Sequence, residues 1–170
     1  IRETAIPLNS SLRNAVFDFS QMTTSIVAVI TDVIRDGKPV VGYAFNSTGR
    51  YACGAQMRAR FIPRILDSDP DSLVDEARNN LNPEAILAAM MQGEKPGGHS
   101  DRSVGIGTIE VAVWDAIAKI EEKPAYQSIA DRYNPGGEKP DMFVYVGGGW
   151  YAPGKGMPEL LDEMRGYLDM

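Results

Sequence analysis

The sequence holds a single cysteine, Cys53, and a single histidine, His99, among its 170 residues. A lone cysteine forms no internal disulfide. One histidine, with no G-x-S-x-G anywhere, supports neither a multi-histidine metal centre nor a histidine-assisted nucleophile. Basic residues are also scarce relative to acidic ones, 17 against 23, for a formal net charge of -6. Such a balance repels phosphate backbones and excludes a nucleic-acid binder. Long apolar runs are missing: residues 26–30, and the longest, residues 85–91, fall far short of the roughly 20 residues that cross a bilayer. No charged segment followed by an apolar stretch and a cleavage site is present. The expectation is a cytoplasmic protein that meets neither nucleic acid nor membrane.

What is present is an ordered series of periodic segments. Residues 1–6 read as a short strand. SIVAVITDVIR, residues 25–35, is rich in β-branched residues, and Asp36-Gly37 supplies a turn before a second apolar run, VVGYAF; together these predict a β-hairpin. Residues 7–22 and 46–54 are polar loops flanking it. Residues 56–66 place Met57, Phe61, Ile65 and Leu66 near helical spacing. Asp67-Ser-Asp-Pro then offers a stop and a new cap, and helical stretches are predicted over 71–80 and 83–91. After a glycine-rich loop, GEKPGGHSDRS, comes the most regular helix, with Ile106, Ile109, Val113, Ile117 and Ile120 on one face. A shorter helix over 124–133 leads to NPGGEKPD, whose proline, glycine and charge mark a domain boundary.

Beyond that boundary FVYV, residues 143–146, reads as a short apolar strand. A glycine loop and an amphipathic helix with Leu160, Leu161, Met164 and Leu168 follow it. A strand apolar on both faces belongs in a parallel sheet and needs parallel neighbours, and none follows. The expectation is therefore an incomplete piece of a larger α/β enzyme, divided into units 1–138 and 139–170.

Four features are candidates for chemistry. GWYAPGKG, residues 149–156, matches the G-x-x-x-x-G-K of a phosphate loop. However, Gly156 stands where a metal-binding hydroxyl belongs, and Pro153 lacks an N–H, so a tight loop at the mouth of a sheet is the favoured reading. Asp67, Asp69 and Asp71 imitate the start of a calcium loop, but Ser72 and Arg78 occupy the positions of its glycine and its bidentate glutamate, leaving helix capping. In the histidine-bearing loop, Lys95 is flanked by proline and glycines and could aim its ammonium at an anion, although exposure to solvent is the ordinary fate of a lysine. Finally, the two loops beside the hairpin carry Arg13, Asn14, Asn46, Thr48 and Arg50 with Phe17 and Phe19, a set suited to a polar small molecule or simply to solvent.

VGIGTIEVAVWDAIAKIEEKPAYQSIA, residues 104–130, resembles the signature of the mandelate racemase and muconate lactonizing group of the enolase superfamily. LRNAVFDFSQMTTS, VVGYAFNSTGRY and MMQGEKPGGHSDRS are most similar to its members that dehydrate D-tartrate. The resemblance implies an α+β capping domain over residues 1–138, with 7–22 and 46–54 as substrate-covering loops. It further implies that residues 139–170 are the first strand and helix of a (β/α) TIM-like barrel. By the same resemblance Asn14, Thr48, Lys95 and Trp150 match substrate-binding positions, with departures at Thr48 and Trp150, where the relatives carry Asn and Tyr. A further departure is Glu122, where glycine is usual.

The implied reaction removes a proton beside a carboxylate, stabilises the enediolate with Mg2+, and expels water. The implied substrate is a small anionic hydroxy acid, and the implied assembly of the intact enzyme is a homo-oligomer. The base, the metal ligands and the general acid of that reaction all fall beyond Met170, so no catalytic or metal-binding residue is expected within the chain and the chain alone is expected to be inactive. Alternatives are a racemase or another acid-sugar dehydratase of the same superfamily, or a stand-alone anion- or nucleotide-binding module through GWYAPGKG.

Overall fold

The computed structural model describes residues 1–46, 53–97, 101–137 and 141–170. Three strands, β1 (Arg2–Pro7), β2 (Thr23–Arg35) and β3 (Lys38–Phe45), form one antiparallel sheet in the order β1-β2-β3. The hairpin turns at Asp36 and Gly37, whose φ angles of 50° and 73° give the mirror-image turn that matches strand twist. Its register pairs Ile26 with Phe45 and Ile30 with Val41, then shifts before Ile34 pairs with Pro39. β1 pairs Arg2 with Ala28 and Pro7 with Thr23.

Helix α4 (Asp101–Glu121) lies across one face of this sheet. Period-two alternation turns Val27 and Val29 of β2, and Val40 and Ala44 of β3, toward it, and all four are buried. From α4, Ile106, Ile109, Val113 and Ile117 join Val27, Val29 and Ala44 in one buried cluster, while Ile120 is half-buried at the end of the face. The crossing is close at Gly42, where any Cβ would overlap the backbone of Ala112 and Ala116. A second layer comes from α1 (Cys53–Gln56), which passes through one π-helical turn (Met57–Phe61) into α2 (Ile62–Leu66), and from α3 (Pro83–Met91). Met57, Phe61 and Met90 from this layer are fully buried. Helix α5 (Ala125–Tyr133) is tied to α3 by Glu84, which accepts from Arg132 at 2.9 Å and from the Tyr133 hydroxyl at 2.5 Å. The adjacent carboxylate raises the Tyr133 pKa.

One expectation fails. Residues 71–80 are not a helix. A 3-10 turn over Pro70–Leu73 gives way to a small loop closed by a Val74–Leu81 bridge. Asp75 Oδ1 accepts from the Asn79 amide at 2.8 Å, and Arg78 adopts a φ of 57°. A short polar side chain bonding its own backbone competes with a helical ladder, and a left-handed residue ends one. Residues 143–146 join no ladder among the described residues. Phe143 and Tyr145 are 90% and 86% exposed. An apolar strand of the doubly buried kind has no sheet here to enter. The helix after it, α6 (Met157–Leu168), does form, with Pro158 in its first turn and Glu159 accepting from the Gly156 amide at 2.8 Å. No described helix is long and apolar enough to cross a membrane.

Candidate functional site

The loop between β1 and β2 is closed at its neck by the Leu8 amide donating to Met22 O at 3.0 Å. Inside it, Asn14 folds the chain: its Oδ1 accepts from the amides of Val16 and Phe17 at 2.8 and 2.7 Å, an Asx-type turn that needs no helix or sheet. Asp18 does the same for Ser20 at 2.9 Å. That backbone hydrogen bond is the chief reason its carboxyl sits below the usual range.

This loop docks on the segment preceding α6. Arg13 and Tyr151 exchange both backbone hydrogen bonds, at 2.9 and 2.7 Å, as an isolated antiparallel bridge. Beside it the rings of Phe19 and Trp150 meet edge to face, centroids 5.3 Å apart at 72°, within the favoured range for aromatic pairs. Asn14 and Trp150, far apart in sequence, thus flank one junction. Trp150 is 38% exposed and lines a depression of about 250 Å3 with Tyr151, Lys155 and Leu160.

The lysine of GWYAPGKG is committed internally. Lys155 Nζ donates to Trp150 O at 3.0 Å and pairs with the Glu163 carboxylate. Glu163 also accepts from the Tyr167 hydroxyl at 2.7 Å and the Gly149 amide at 3.3 Å. Lys155 above all, then the other two donors, pulls the Glu163 pKa down to about 2. The glycines at 149 and 154, with φ of 82° and 78°, turn the loop so that its lysine reaches back to α6.

Lys95 lies apart from that junction, exposed on the wall of an open cleft of about 540 Å3. Below it is a charge cluster that sequence reasoning missed. The Glu94 side chain, 1% exposed, receives Arg64 at 2.7 Å and Arg60 at 2.6 Å, with Arg102 at 3.3 Å. Arg64 is the leading cause of a lowered Glu94 pKa. Arg60 and Arg64 stand four apart on one helical face, a spacing legible in MRARFIPR. Their shared partner, 34 and 30 residues away, was not.

Asn46, at the end of β3, is 4% exposed. Its Oδ1 accepts from the Ser25 amide and the Thr24 hydroxyl at 2.7 and 2.8 Å, while Nδ2 has no partner among the described residues. Thr48 and Arg50, like His99, lie outside the described residues. Of the acidic trio, Asp69 caps a turn by accepting from the Asp71 amide at 3.1 Å, and Asp71 pairs with Arg78. Among the described residues no group of three His, Cys, Asp or Glu could hold a metal ion.

Compared with known proteins, part of the chain is 33% identical over 66 residues to arabinonate dehydratase of Saccharolobus solfataricus. The matched stretch is 39% of this chain and 16% of that protein. No family model matches the sequence.

Proposed function

We propose that the chain is the capping part and first barrel unit of an Mg2+-dependent hydroxy-acid dehydratase of the enolase superfamily, mandelate racemase group, with D-tartrate the best single substrate. The observation that carries this reading is the 66-residue similarity to arabinonate dehydratase, since arabinonate is itself a hydroxy acid. A supporting observation is the bridge between Arg13 and Tyr151, which sets Asn14 and Trp150, two expected substrate contacts, on one junction. In this reading residues 143–146 are the first barrel strand, and their exposed apolar side chains meet later strands of the intact enzyme.

The described residues hold no metal-binding group, so no step through Mg2+ is assigned to them. The metal ligands and the proton-abstracting base are proposed to stand on later barrel strands, and the intact enzyme to be a cytoplasmic homo-oligomer. This chain's own part is to cover and orient the acid. Asn14 spends Oδ1 on its own turn and keeps Nδ2 for a substrate oxygen, while Trp150 excludes water at the loop that faces the reaction.

The test is a panel of sugar acids given to the intact enzyme with Mg2+. Dehydration of D-tartrate is expected. Asn14→Ala should lower kcat/KM by roughly 10- to 100-fold, which is about 1.4 to 2.7 kcal/mol of transition-state binding. Turnover of no acid on the panel would end the proposal, as would unchanged kinetics in Asn14→Ala.

A further inference from the structure

We infer that Lys155 and Glu163 are positioning residues: they hold the 149–156 loop against the loop between β1 and β2 and so set where the Trp150 ring stands. Neither side chain takes part in the Arg13–Tyr151 bridge or the Phe19–Trp150 ring pair. Lys155 Nζ donates to Trp150 O at 3.0 Å and pairs with the Glu163 carboxylate. That carboxylate reaches the chain just before Trp150, accepting from the Gly149 amide at 3.3 Å. One ion pair therefore grips the backbone on both sides of a single residue. Its two side chains are each 21% exposed, which shields it from the screening that weakens surface pairs.

The pair is itself seated. Tyr167, one turn further along α6, donates its hydroxyl to Glu163 at 2.7 Å. At Gly148 any Cβ would stand 2.7 Å from the Tyr167 ring and 2.8 Å from Glu163, so the loop backbone rests directly on this face of α6. The Lys155 amide donates to Ala152 O at 3.0 Å, closing the turn that brings the ammonium back to Trp150 O.

What the clamp controls follows from what the bridge leaves open. Arg13 and Tyr151 fix the backbone at residue 151. The direction of the neighbouring ring depends on the peptide groups flanking Trp150, and those are the groups that Lys155 and Glu163 hold. An edge-to-face pair such as Phe19 and Trp150 is directional, so turning the ring breaks it. The consequence for catalysis rests on the dehydratase reading, in which Trp150 lines the substrate site. A group misplaced by about 1 Å lowers productive binding although no reacting group has changed, so loss of the clamp raises KM more than it lowers kcat.

Two measurements test this. In the 170-residue chain, nuclear Overhauser effects between the Trp150 indole and the Phe19 ring should be strong, lost in Lys155→Met, weakened in Glu163→Gln and largely restored in Lys155→Arg. Arg165→Gln, which removes the exposed Asp162–Arg165 pair of the same helix, should leave them unchanged. In the longer enzyme, given an acid that it turns over, Lys155→Met should raise KM about tenfold with kcat within about twofold, and Lys155→Arg should return KM to within about threefold. Ring contacts unchanged in both Lys155→Met and Glu163→Gln overturn the inference, and so does a fall in kcat at constant KM. If Lys155→Met loses the amide signals of the core, Glu163→Gln decides. Absence of turnover in the unsubstituted enzyme ends the dehydratase reading instead, and the Trp150–Phe19 contacts then decide the inference alone.

Discussion

Glu122 shows how one side chain sets the end of a helix. It sits past α4 with a φ of 58°, its amide donating to Lys119 O and the next amide, of Lys123, to Ala118 O. This is a Schellman end, whose left-handed position favours glycine. A non-glycine residue there costs about 1 to 2 kcal/mol, partly offset by glycine's greater unfolded entropy. The Arg35–Glu122 pair, 37% and 73% exposed, contributes little against that. Glu122→Gly is therefore expected to stabilise the chain by about 0.5 kcal/mol, read as a higher urea midpoint at constant slope; a lower midpoint would show that the pair outweighs the strain. At Glu163 the sign follows from a folded pKa of about 2 against an ordinary 4.5. A depressed pKa means that the Lys155 clamp contributes fully above pH 4.5 and is lost as pH falls toward about 2. The Trp150 indole and Gly149 amide signals should titrate there in two-dimensional NMR, and in Glu163→Gln that step should vanish. Little of this was readable beforehand. GWYAPGKG advertised a lysine and tight glycines, but the carboxylate that claims the lysine sits eight residues on, in a helix known only for its leucines.

The elements were more legible. Asp36-Gly37 between two β-branched runs dictated the hairpin, and the three-and-four spacing of isoleucines dictated α4, because each signal lies within a few residues. Residues 71–80 misled for the opposite reason. Their composition suits a helix, but the decisive act is Asp75 capturing the Asn79 amide, an event of side-chain geometry. The approach of α4 to the sheet was also invisible in the sequence, since a glycine within a strand has several explanations. At Gly42 the explanation is contact with the backbone of Ala112 and Ala116. Gly42→Val is accordingly expected to destabilise by about 3 kcal/mol, the upper part of the usual overpacking range. Chemical denaturation measures it, and a loss under about 1 kcal/mol would mean that α4 shifts freely across the sheet.

For the whole molecule, sequence resemblance and physical structure address different halves. The sheet, α4 and the layer of Met57, Phe61 and Met90 share one buried core. Residues 143–146, in contrast, hold four consecutive apolar side chains that are more than half exposed, a surface that soluble proteins normally cover. If that surface pairs with further strands, hydrogen exchange at residues 143–146 should be fast in the 170-residue chain and slowed by orders of magnitude in the longer enzyme proposed above. Equal exchange in both would remove the first-strand assignment. The sheet carries a different lesson at its β3 rim. There Asp115 accepts from the Tyr43 amide at 2.7 Å, and Lys119 donates to Val41 O at 3.0 Å, so two side chains of α4 occupy the groups that a neighbouring strand would seek. Pairing of a further strand is thereby blocked at these two groups of the β3 rim, which leaves β1, among the described residues, as the edge strand that no strand covers on its outer side.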